Sequence, residues 1–174
     1  VFSVNHRMHN KAWIADGRVA VVGGRNVGDE YFDAAAQTNF LDLDAVLVGP
    51  AVRQTSAIFD DFWNSASVIP LAALSGAEEG ALVRLRAHGD AGYRSTRAAD
   101  YVARLRRSPG LPALVGGNAL HWLDEVGVYS DPAAKGQGEG KAQWLVHRLG
   151  RAMGLAKREL RVISPYFVPG EEGT

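Results

Sequence analysis

His9 and Lys11 stand two residues apart near the start of this sequence, and Asn26 follows the adjacent glycines Gly23 and Gly24. Two-residue spacing on an extended segment sends both side chains to one face. A neutral imidazole can attack phosphorus, while an ammonium and a carboxamide can stabilise the charge that builds on the equatorial oxygens. Gly23 and Gly24 let the backbone approach a ligand closely and add amide donors. For His9 to attack, its other ring nitrogen needs an acceptor that fixes the tautomer. Asp42 or Asp44 can supply it, since in "FLDLDAVLV" the two aspartates alternate with Leu41 and Leu43. The scheme calls for no metal and no cofactor.

The elements that must position these groups are legible in outline. Residues 11–15 and 18–22 are short apolar runs separated by Asp16-Gly17, a strong hairpin signal. His9 and Lys11 are expected on the first strand, and Asn26 is expected to return to their face and to cap a short helical turn over 29–32. A third strand is expected over 40–48, ended by Gly49-Pro50, and the apolar spacing of Val52, Ile58, Phe59, Phe62 and Trp63 predicts a helix over 51–65. Residues 66–118 read as irregular, apart from a helix over 98–107 stopped by Ser108-Pro109-Gly110. A strand over 122–129, a loop over 130–140, an amphipathic helix over 141–155 and a buried strand over 160–164 follow. In that last helix Trp144 and Met153 are read as core residues. Strands separated by helices predict an α/β protein, a layered mixed sheet flanked by helices.

Composition narrows the classes. At 174 residues with 47% hydrophobic and 22% charged residues, the chain reads as globular. A formal net charge of zero commits it to neither nucleic acid nor membrane as a whole. That balance hides a basic stretch over 84–107, where seven arginines face only Asp90 and Asp100. This is either a solvated helical face or a surface for anionic lipid head groups. With no cysteine there are no disulfides and no thiolate metal sites. No apolar run approaches the roughly 20 residues that span a bilayer. His88, His121 and His147 lack ligand-like spacing and read as surface or core residues.

His9-x-Lys11, Asp16 and Gly23-Gly24-x-Asn26 together form the motif of the phospholipase D superfamily, which this sequence resembles. The flanking "NHRMHNK", "VGGRNVGDEYFD", "LDLDAVLVGP", "SDPAAKG" and "VISPYFVPGEEG" look like bacterial cardiolipin synthase-type members. The resemblance runs over nearly the whole chain and is weakest over 66–118. It implies a phospholipase D-like fold of two pseudo-symmetric halves, each bringing one motif to a shared active site. His9 would then be the nucleophile that forms a phosphohistidine, or else the general acid. Lys11 and Asn26 would bind the phosphate beside Gly24, and Asp42 would orient the histidine. Asp16 and Gly23 read as structural members of the motif. Many family motifs carry Ser where this sequence has Gly24, and Gly suits a first-half motif.

Only one such motif is present, so the chain is expected to be a partial domain carrying half an active site. Its motif region is 1–65, its connecting region 66–140, and the opening of the second half 141–174. The expected function is that of a phosphatidyltransferase fragment, inactive alone, whose partners are a phosphatidylglycerol-like phospholipid, the bacterial membrane surface and the second half of the parent chain. The alternative is a single-motif phosphodiesterase or nuclease that completes its site by homodimerisation, although nothing in the composition favours nucleic acid. Flanking residues His6 and Arg7, and Tyr166 and Phe167 after the last strand, are read as either substrate contacts or plain structure.

Overall fold

The structure is a computed structural model that describes residues 8–74, 76, 78–117 and 120–164. His6, Arg7, Tyr166 and Phe167 lie outside the described residues. The chain divides into two compact units, one formed by Val1–Val68 with Val126–Thr174 and the other by Ile69–Glu125.

The first unit is built on a three-stranded sheet in the order β1 (Ala12–Ala15), β2 (Val19–Gly23), β3 (Asp44–Val48). Both pairings are antiparallel, so the expected mixed sheet is in fact a small antiparallel one. β1 and β2 are joined where the amide of Arg18 donates to the carbonyl of Ala15 at 2.9 Å. Asp16 and Gly17 both have positive φ (52° and 63°), as a primed hairpin turn requires, which is why this dipeptide signalled the turn.

The register Ala12↔Val22↔Ala45 and Ile14↔Ala20↔Leu47 puts these residues on one face of the sheet. Helix α1 (Pro50–Trp63) packs against all three strands. Gly49, with φ 73°, turns the chain out of β3, and Pro50 occupies the first helical turn, where its missing N–H costs nothing. The buried residues of α1 are Ala51, Val52 and Thr55, an i, i+1, i+4 stripe, and with Ala20 they form the small core. The opposite sheet face carries Trp13, Val21 and Val46 in line, with Trp13 and Val46 exposed.

Four expected strands come out differently. His9 and Lys11 precede β1, because the ladder starts at Ala12↔Val22. β3 begins at Asp44 rather than Phe40, since its partner strand β2 ends at the Gly23↔Asp44 pair. Among the described residues, 122–129 form no strand, and the apolar run 160–164 is exposed with no ladder. An apolar run becomes a strand only where another backbone offers hydrogen bonds, and composition does not reveal that partner.

Residues 130–164 contain helix α6 (Leu145–Gly154), whose Trp144, Leu145 and Met153 are half-buried, not the full core positions expected. Asp131 holds its start: one carboxylate oxygen accepts from the amide of Leu145 at 2.8 Å, the other from the Lys135 ammonium at 2.6 Å. The loop read as "SDPAAKG" is therefore a built corner.

The second unit is helical where irregular structure was expected. It contains α2 (Leu71–Leu74), α3 (Ala81–Tyr93), α4 (Thr96–Arg107) and α5 (Gly110–Val115). Gly89 and Gly92 hid α3 from the sequence reading; each costs about 1 kcal/mol relative to Ala, and Ala81, Leu82, Arg84, Leu85, Arg86 and Ala87 are good helix formers that offset them. In α4 the hydroxyl of the N-cap Ser95 accepts from the amide of Ala98 at 3.2 Å.

Candidate active site

A cavity of about 580 Å³ opens on the α1 face of the sheet. Ala12, Val22, Ala45 and Leu47 floor it, and His9, Lys11 and Gly23 lie on its polar side. Ile58, Phe59 and Phe62 of α1 form an apolar wall, and residues 126–130 form another. His9 is exposed and Lys11 half-buried, so both are reachable by a ligand. The Lys11 ammonium donates to the carbonyl of His9 at 2.8 Å, which folds the two side by side. An ammonium has three N–H bonds and can hold a phosphate oxygen at the same time.

The other expected site residues, Asp16, Gly24, Asn26 and Asp42, do not line the cavity. The carboxylate of Asp42 lies against Gly24: a Cβ there would stand 2.3 Å from Asp42 Oδ2. Asp42 Oδ1 accepts from the amide of Leu43 at 2.8 Å. The Asn26 carboxamide donates to the hydroxyl of Tyr31 at 2.8 Å. Asn26 does not cap the following turn; the cap position of the 3-10 turn Asp29–Tyr31 is Gly28. Asp16 sits in the hairpin turn, at the end of β1 away from Lys11.

Two residues that the sequence reading passed over organise this region. Arg25 reaches Asp44 with Nε (2.5 Å to Oδ2), the carbonyl of Asp42 with Nη2 (2.9 Å) and the carbonyl of Tyr31 with Nη1. Its guanidinium thus takes the place of a strand partner for the chain entering β3. Gln54 of α1 reaches across to residues 126–128, and its partners are too distant in sequence to be foreseen.

The two glycines have different tasks. A Cβ at Gly23 would lie 1.8 Å from Asp44 Oδ1 and 2.9 Å from the Asp44 Cα, so backbone would have to move. At Gly24 it meets only the Asp42 carboxylate, which can rotate away. Gly23→Ala is expected to destabilise the fold by about 2 kcal/mol, seen as a lower urea midpoint. Gly24→Ala should leave that midpoint nearly unchanged while displacing Asp42.

Comparison with known proteins bears on what such a site does. The chain is 36% identical over 172 residues to cardiolipin synthase C of Escherichia coli (strain K12), an alignment covering 98% of this chain and 36% of that protein. The chain is similar to cardiolipin synthases. It is also 37% identical over 94 residues to cardiolipin synthase A of Pseudomonas fluorescens (strain SBW25), covering 52% of this chain and 20% of that relative. With the cardiolipin synthase of Listeria monocytogenes (serotype 4a, strain HCC23) it shares 44% identity over 69 residues, 38% of this chain and 14% of that one. The chain therefore spans little more than a third of the length of the cardiolipin synthase C it matches from end to end. No family model matches the sequence, and no solved structure matches the chain. Among the described residues no helix is long and apolar enough to cross a membrane.

Proposed function

We propose that this chain is part of a phospholipase D-type phosphatidyltransferase that makes a cardiolipin-like product through a phosphohistidine. The observation that carries this reading is the pairing of His9 and Lys11 at the rim of a cavity whose walls are apolar. A phosphodiester with one apolar substituent matches both the Lys11 ammonium and the walls. Similarity to cardiolipin synthase C over nearly the whole chain supports the same substrate class.

In the proposed reaction an imidazole nitrogen attacks phosphorus, an N–P bond forms and the P–O bond to the leaving glycerol breaks. A second histidine gives that alkoxide its proton, one histidine of the pair being supplied by the other half of the parent chain. The same group then takes the proton of the acceptor hydroxyl, whose oxygen attacks phosphorus and releases the imidazole. His9 fills one of these two roles. Lys11, with the Gly24 amide, offsets charge on the non-bridging oxygens, and Asn26 joins them when its amide leaves Tyr31. Asp42 is the favoured orienting carboxylate, because Asp44 is already held by Arg25.

Half a site is not expected to turn over alone. The membrane surface is the proposed partner of the intact enzyme, and the exposed Leu82, Leu85 and arginines of α3 and α4 suit an anionic head-group layer.

The test uses the intact enzyme and phosphatidylglycerol labelled in its phosphate. Quenching in alkali, where phosphohistidine survives, should trap label on a histidine-containing peptide, and the configuration at phosphorus should be retained after two inversions. Inverted configuration, or label that never becomes protein-bound, would exclude the double displacement.

A further inference from the structure

Residues 126–130 line the same cavity as His9 and Lys11, yet among the described residues no strand pairs with them. What holds this wall is one side chain. The Gln54 carboxamide donates through Nε2 to the carbonyl of Val126 at 3.2 Å and accepts through Oε1 from the amide of Val128 at 3.0 Å. One donor and one acceptor spaced two residues apart is the pattern a neighbouring strand would offer, supplied here by a single exposed carboxamide. The rest of the wall is arranged around that clamp. The Tyr129 ring folds back over Gly127, where a Cβ would come within 2.7 Å of it. Arg148 of α6 lies over the same ring, its guanidinium carbon 4.8 Å from the centroid.

We infer that Gln54 is a positioning residue: it fixes the 126–130 wall and so sets the apolar space that receives the acyl-bearing part of a phosphodiester, without touching the phosphate itself. The inference rests on the proposed function for the identity of the ligand. Gln54 has no place in the phosphate chemistry, since it does not line the cavity and its carboxamide is turned to backbone. Glutamate at this position keeps an acceptor for the Val128 amide and loses the donor to the Val126 carbonyl. Alanine loses both. Ala at Gly127 leaves Gln54 intact and displaces Tyr129 from the same wall, so it reports on the wall by a second route.

The experiment measures binding of two probes to this chain by NMR titration. One probe is dihexanoylphosphatidylglycerol below its micelle concentration, and the other is inorganic phosphate. Amide exchange at Val128 is followed in parallel. Gln54→Ala and Gly127→Ala should each weaken the lipid probe about tenfold and leave phosphate within about twofold. Gln54→Glu should fall between wild type and Gln54→Ala, and Val128 exchange should quicken in Gln54→Ala. Unchanged lipid binding in Gln54→Ala, unchanged Val128 exchange, or equal loss of both probes would overturn the positioning role while wild-type binding still supports the proposed function. A wild-type chain that binds neither probe would overturn that reading, and this inference with it.

Discussion

Transfer by the intact enzyme is expected to fall about 10³-fold or more when His9 becomes alanine, whichever of its two proposed roles it fills. The reason is geometric as well as chemical. His9 is exposed and lines the cavity together with Lys11, the apolar groups of α1 and the floor of the sheet. No other histidine lines this cavity among the described residues. The two roles separate on leaving-group chemistry. A diester with a nitrophenoxide leaving group needs little proton donation, so an enzyme lacking its general acid should keep much of its activity on that substrate. An enzyme lacking its nucleophile should lose activity on both. His9→Ala with Lys11 intact, assayed on phosphatidylglycerol and on a nitrophenyl phosphodiester, therefore assigns the role. Near-normal transfer to phosphatidylglycerol by His9→Ala would remove His9 from the chemistry altogether.

The parts of this site that the sequence made legible are those whose determinants are local. Asp16-Gly17 fixes the hairpin because both residues must take positive φ. Gly49-Pro50 fixes the entry to α1 through the positive φ of Gly49 and the ring-locked φ of Pro50. Together they place His9, Lys11 and Gly23 around one cavity, although His9 and Lys11 lie ahead of the strand and not on it. What was hidden depends on distant partners. The start of β3 is set by where β2 stops, and the 126–130 wall is held by a side chain 72 residues away from its first partner. Helix α3 was hidden for another reason: glycine is a weak local signal that good helix formers around it can override. Arg25 stood inside the quoted motif, yet nothing local distinguishes an arginine that closes three contacts from one that faces water. The lead-in to β3 was read as strand because its alternation is real. That alternation is satisfied by Arg25 and the Leu43 amide instead of by a ladder.

Arg25 carries the second large expected effect, and it falls on stability. Its guanidinium joins the Asp44 carboxylate of β3, the Asp42 carbonyl before that strand and the carbonyl of Tyr31 in the short 3-10 turn. Both ends of the ion pair are partly buried, with 31% and 24% of the side chain exposed, so screening by water is incomplete. Truncation would leave a half-buried carboxylate and two carbonyls without this donor, and Arg25→Ala is expected to cost about 2 kcal/mol in urea unfolding of this chain. Arg25→Lys should recover less than half of that, because a point charge can meet Asp44 but lacks the planar fork that reaches both carbonyls. The effect should also travel to the site. Tyr31 is gripped twice, at its carbonyl by Arg25 and at its hydroxyl by Asn26, and its ring packs on Phe40 with centroids 5.2 Å apart. Losing the first grip loosens the partner of Asn26, the proposed phosphate ligand. A double-mutant cycle of Arg25→Ala with Asp44→Asn measures the ion pair directly, and a coupling of about 1 kcal/mol is expected. Strict additivity would mean that Arg25 acts through the two carbonyls alone, and Arg25→Lys should then be no better than Arg25→Ala.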